Sequence, residues 1–266
     1  KVTCEGSFFL SGEPMLHLRG TIDTPQCSFR KMTAEQVSAN WALSSNQVLW
    51  DVTQASYLGG NLKTSGLYDL ESRAGNVLLI ADNISLDQFS TMLGMAEKSE
   101  DASPVPGVIH AECRLDILQG WASRPFHVEG NGHLAVRNAE LWEVPLFTKL
   151  GQLLEVTTFS WLRQKQDNGL GKITKLDADL EFLGTRLAVP QFSTNGTIIA
   201  LSGQGEYSWE KDRLFFQVSG EALKEVSILS FVLKSLTWAF HAELSGTRQK
   251  NEWKLRTALR KIFSTD

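Results

Sequence analysis

Apolar and polar residues alternate along most of this chain. Leu16, Leu18 and Ile22 share one face, with His17, Arg19 and Thr21 opposite. Val37, Ala39, Trp41 and Leu43 alternate with Ser38, Asn40 and Ser44, and Val48, Trp50 and Val52 form the next set. Leu62, Tyr68 and Leu70 alternate with Lys63, Ser65 and Asp69. Ile109, Ala111, Cys113, Leu115 and Ile117 face away from His110, Glu112, Arg114 and Asp116, and Phe126, Val128, Leu134 and Val136 continue the theme. Leu176, Ala178, Leu180 and Phe182 oppose Lys175, Asp177, Asp179 and Glu181. Ile199, Leu201, Tyr207 and Trp209 oppose Ala200, Ser202, Glu206 and Glu210; Leu214, Phe216 and Val218 follow. Leu236, Trp238, Phe240, Ala242 and Leu244 close the series. A period of two with one apolar face predicts a mainly β protein of about fifteen half-buried, antiparallel strands.

Helical periodicity is scarce. Leu86 to Glu97 predicts a short helix, with Ser85 as N-cap and Gln88 completing a capping box. A second begins near Glu143, with Pro145 in its first turn, and runs to about Lys165. Its apolar stripe is Leu146, Phe147, Leu150, Leu153 and Leu154, and Gly151 weakens or kinks it. The third is "EALKEVSILSFVLKSL", Glu221 to Leu236. The polar stretch "AEKSEDASPVPG" holds two prolines and marks a boundary. The expected organisation is residues 1–95, a linker at 96–107, and residues 108–266.

An apolar sheet face must be covered, by a second sheet, by helices, by closure into a barrel, or by a ligand on a curved sheet. The face here carries Trp41, Trp50, Tyr68, Phe126, Phe182, Tyr207, Trp209, Phe216, Trp238 and Phe240. Each large side chain is worth about 1.5–3 kcal/mol when buried. Left wet, the set sacrifices on the order of 20 kcal/mol, more than a domain's usual net stability. Two or three short amphipathic helices are too few to cover so many strands. Periodicity alone does not say whether protein or lipid does so.

Composition narrows the chemistry. The 266 residues are 42% hydrophobic and 21% charged, the profile of a folded chain, and the net charge of −4 is the wrong sign for nucleic acid. No window reaches the roughly 18 apolar residues of a membrane-crossing helix. The chain begins at Lys1, which predicts a processed or excised piece with a targeting or anchor segment upstream. Cys4 and Cys27 fall on neighbouring candidate strands; a disulfide and free thiols are both open.

"GNGHLA", Gly130 to Ala135, matches a dinucleotide fingerprint, but the alternation continues through it to Val136, where a phosphate loop opens a helix. The glycines predict a strand bend instead. His17, His110, His127, His133 and His241 all lie on polar faces without zinc spacing. Asp177, Asp179 and Glu181 alternate along one strand, as a solvated face does. No catalytic residue, metal or cofactor is expected.

Read in order, several stretches resemble the AsmA-like family, in its C-terminal region. "ASYLGGNLKTSGLYDL" is similar to that family's strand pair around a double glycine, and "NISLDQFSTML" to the short helix after it. "GNGHLAVRNAELWEVPLFTKLGQLL", "FLGTRLAVPQFSTNGTIIALSGQGEYSWEKDRLFFQVSG" and "HAELSGTRQKNEWKLRTA" resemble its later segments. The family's usual proline is absent near Lys250, and Leu58 stands where Tyr is common. The resemblance, shared with TamB-like and bridge-like lipid transfer proteins, implies a long curved β-groove or half-open barrel. It implies a periplasmic segment of a Gram-negative cell envelope protein, membrane-anchored at the inner membrane through a part not included here. The implied role is phospholipid transport or outer membrane biogenesis, with phospholipid or another acyl-chain lipid, and other envelope proteins, as partners. The implied lipid-binding face comprises the aromatics named above with Leu134, Val136, Leu180 and Leu201, and the Leu146–Leu154 stripe forms a helix lid. The alternative is a non-catalytic structural or interaction module without a lipid site.

Overall fold

A computed structural model describes residues 1–9, 15–29, 32–92, 104–119, 127–157, 172–197, 199–222, 236–248 and 250–262. Among these, fourteen strands form one antiparallel sheet in which each strand pairs with its neighbours in sequence. The strands are β1 (Val2–Phe9), β2 (Met15–Phe29), β3 (Met32–Ser44), β4 (Gln47–Tyr57), β5 (Gly60–Asp69), β6 (Gly75–Ser85) and β7 (Val108–Gln119), then β8 (His127–Arg137), β9 (Ile173–Gly184), β10 (Arg186–Gly196), β11 (Ile199–Ser208), β12 (Arg213–Ala222), β13 (Leu236–Gly246) and β14 (Asn251–Ile262). The helices are α1 (Leu86–Met92) and α2 (Pro145–Thr157), the latter preceded by one 3-10 turn, Leu141–Glu143. β1 and β14 each pair on one side only, so the sheet is open. The mainly β, antiparallel architecture is the expected one.

Short turns make this meander possible. Between β4 and β5, Leu58 (φ 48) and Gly59 (φ 78) both take positive φ, as the tightest hairpins require. Gly60 then passes so close to Asn83 that a Cβ would lie 2.5 Å from its backbone. The double glycine therefore serves two separate needs, a left-handed turn and a close approach. At the start of α1, Ser85 Oγ accepts the Gln88 N–H at 3.3 Å, the predicted N-cap. The Asp87 carboxylate accepts the Val105 N–H at 3.1 Å and ties the returning chain to the helix.

β1, β6, β10 and β14 are missing from the series of alternating segments, β6 and β10 for identifiable reasons. β6 reads "VLLIA", apolar on both faces, because Leu78 and Ile80 point outward beside Val77 and Leu79. β10 changes parity at a bulge between Val189 and Phe192, so its inward residues do not alternate in the sequence. Other expectations shift. β11 ends at Ser208, and Trp209 sits in the turn that follows rather than on a strand face. β8 continues as a strand through all of "GNGHLA", with Gly130 at φ 144 where a Cβ would strike the Arg114 carbonyl. Phe126, most of the third predicted helix, and the second helix beyond Thr157 lie outside the described residues.

The sheet curves. Ala139 N–H donates to the Thr174 carbonyl at the head of β9, yet Lys149, ten residues later, reaches Asn251 of β14 at 3.2 Å. On a flat sheet these points stand five strands and roughly nine residues apart, about 38 Å. The intervening chain, a 3-10 turn and the start of a helix, reaches about 20 Å, plus about 9 Å of side chains. With the hydrogen bonds at either end this span lies at the limit of the chain's reach, and a sheet curled toward α2 relieves it.

Cys4 and Cys27 are free and exposed, and Cys113 is buried. Cys4 pairs in register with Gly20, seven residues along β2 from Cys27, or about 23 Å, too far for a disulfide. Burial, then the neighbouring Glu112, raises the Cys113 thiol above its ordinary value. A thiol-reactive dye at neutral pH should therefore label two cysteines in the native protein and a third only after denaturation. Rapid native labelling at Cys113, read by peptide mass, would contradict this placement.

Candidate functional site

Register brings the apolar residues into continuous rows across the sheet, because directly paired residues point to one face. One row runs Gly20, Trp41, Trp50, Gly66, Val77, Leu115, Gly130, Phe182, Leu187, Tyr207, Leu214. The row beside it includes Leu18, Leu43, Val48 and Tyr68, and ends near Ile117 and Val128. Leu134, Val136, Leu180, Leu201, Phe216 and Phe240 fall on the same face. Trp238 lies in β13 opposite Arg260, and its side chain is outside the described ones.

Aromatic side chains on this face lie over glycines of the neighbouring strand. A Cβ on Gly20 would sit 2.8 Å from the Trp41 indole nitrogen, and one on Gly66 would sit 2.5 Å from the Trp50 ring. Gly203 stands so to Phe192, Gly205 to Phe216 and Gly220 to Phe240, at 2.7, 2.2 and 2.1 Å. Each ring covers backbone that has no side chain of its own, and each glycine gives the ring room to lie down on the sheet. Gly203 and Gly205 are thus slots for rings, whereas Gly130 and Gly132 of GNGHLA meet the Arg114 carbonyl and Cys113 Sγ.

The face has two unlike halves. Among residues whose burial is described, β8–β14 contribute fifteen fully buried apolar side chains and β1–β5 contribute two, Val37 and Ala55. The reason is α2. Leu150 and Leu154 are both 0% exposed and join a core cluster with Val136, Phe192, Leu201, Phe240, Leu244 and Trp253. Phe147 and Leu153 pack against that cluster. Leu146 lies on the same helix, outside the described side chains. Burying Leu150 and Leu154 stabilises this half by about 1.5–3 kcal/mol each. Trp41, Trp50, Tyr68, Leu43, Val48 and Val52 are instead half-buried, on neighbouring strands in register. Trp50 Nε1 donates to Thr64 Oγ1 at 3.4 Å.

The rim near the covered half is polar. The Tyr207 hydroxyl donates to Asp212 at 3.0 Å, and Arg248 Nε donates to the same oxygen at 2.9 Å while its guanidinium stacks over the Tyr207 ring. Burial raises the Tyr207 hydroxyl, and the Arg248 hydrogen bond holds the Asp212 carboxyl below its ordinary value.

The outer face is a field of cross-strand polar pairs. His17 meets Ser44, His110 meets Asp82, His241 meets Ser219, and His133 lies 3.1 Å from Asp179. Asp177 is bound by Arg137. The acidic row Asp177, Asp179 and Glu181 is thus a solvent-facing strand surface, in part paired with cations. Among the described residues no group of three or more His, Cys, Asp or Glu could hold a metal ion, and no helix is long and apolar enough to cross a membrane. A dent of about 900 Å³ near Arg186, Glu206 and Phe215 lies at the turn end of this outer face.

The two halves should answer differently to mutation. Leu154→Ala should lower the unfolding free energy by about 2–5 kcal/mol, as a cavity in a closed core does. Trp50→Ala should cost less than the about 3–5 kcal/mol of a core tryptophan. Equal losses in chemical denaturation would contradict the division. A scan against protein-family models and searches of curated proteins and of solved structures returned no match to this chain.

Proposed function

We propose that this chain is a lipid-binding groove segment of an AsmA-like periplasmic protein. It would move phospholipid between membranes or support outer membrane biogenesis, with no catalytic residue or cofactor. The single observation that carries the reading is the half-open apolar face. Across β2–β5, Trp41, Trp50, Tyr68, Leu43 and Val48 form a contiguous apolar floor of half-buried side chains, where β8–β14 have a helix. A contiguous apolar surface left partly exposed marks an interaction surface.

An acyl chain fits the energetics. Removing sixteen carbons from water is worth about 13 kcal/mol at about 0.8 kcal/mol per CH₂. A bilayer offers nearly the same, so exchange between membrane and groove is close to balanced and the groove mainly lowers the cost of leaving. The aromatic rings over glycine make the floor smooth, which suits a flexible chain with no fixed shape. The helix-covered half favours a second reading, a structural or protein-interaction module whose apolar face is met by protein throughout.

Mass spectrometry of gently purified protein separates the two. The groove predicts co-purifying phospholipid, and Trp41→Asp with Trp50→Asp should reduce it at least severalfold while far-ultraviolet circular dichroism is retained. Lipid-free wild-type protein, or a folded double variant that keeps its lipid, would favour the module.

A further inference from the structure

We infer that α2 is a displaceable lid, seated where an acyl chain lies when the groove fills along its whole length; this rests on the groove reading above. β8 and β9 are adjacent antiparallel strands, paired from Val128 with Gly184 to Val136 with Leu176. A two-residue hairpin joins such strands in the simplest case. Here the chain leaves at Asn138 and returns at Lys172. This excursion carries the 3-10 turn and α2 away from the strand ladder.

The neck of this excursion is fastened without α2. Ala139 N–H donates to the Thr174 carbonyl at 3.2 Å, and the Lys172 ammonium donates to the Glu140 carboxylate. Lifting α2 therefore breaks no strand pairing, and the β8–β9 ladder stays intact. The seat itself is chemically unselective. Leu150 and Leu154 enter a cluster of Phe192, Phe240, Leu244 and Trp253, which receives methylene groups of any origin. The link from Lys149 to Asn251 is exposed, so water can replace it. Gly151, buried in the middle of the helix, lowers its intrinsic stability relative to alanine. The row from Trp41 to Leu214 connects the open floor to the seat without interruption, so a chain loaded over β2–β5 has a path beneath α2.

The test is a reversible lock on the full chain. Lys149→Cys and Asn251→Cys, in a Cys4→Ser and Cys27→Ser background, are bridged with a disulfide-containing bis-maleimide that reductant cleaves. The protein is then mixed with phosphatidylglycerol vesicles containing a diazirine-chain phospholipid, irradiated and mapped by peptide mass. The lid predicts adducts on β2–β5 in both states, and at least a threefold rise on β10–β14 after cleavage. Adducts on β2–β5 with none on β10–β14 in either state would make α2 a permanent core helix and overturn the lid alone. Equal labelling of β10–β14 in both states would also overturn it. No adduct on any strand would remove the groove reading, and the lid with it.

Discussion

The governing constraint is area: one apolar sheet face and, among the described residues, too little helix to cover it. Fourteen strands at about 4.8 Å spacing make a face about 62 Å across when flattened. α2 has thirteen residues, about 20 Å of length and about 10 Å of breadth. It can close the curled C-terminal half and no more. The rest follows from that mismatch. The sheet curls where it has a helix to wrap, its buried core collects there, and among the described residues the tryptophans of β3 and β4 stay half-buried.

Glycine and aromatic residues share the work of making that floor. In a one-layer sheet a large ring standing upright would expose both its faces. Laid over Gly20 or Gly66, the ring shields backbone below and offers a single face above. The same device recurs under α2 with Phe216 and Phe240, so both halves of the face are built on one plan. They differ in what is placed on top.

Much of this was legible in the sequence. One-sided alternation gave the antiparallel sheet, Ser85 with Gln88 gave the start of α1, and Pro145 the start of α2. The apolar side of β3, β4, β12 and β13 could be read residue by residue. What was not legible has physical causes. A bulge at Pro190 and Gln191 hid β10 by reversing its parity. Outward Leu78 and Ile80 hid β6, and a turn removed Trp209 from its expected strand face. Most important, periodicity marks Trp41 and Phe240 as the same kind of inward residue. Only the three-dimensional path of α2 distinguishes an open position from a closed one.

Single-tryptophan versions of the protein with brominated-chain phospholipid test the central claim most directly, because bromine quenches indole emission only at contact. With α2 held closed by the bridge between positions 149 and 251, chains retaining only Trp41 or only Trp50 should be strongly quenched, and a chain retaining only the buried Trp253 should be quenched far less. Equal quenching at all three positions, or none at Trp41 and Trp50, would contradict a face divided between protein and lipid.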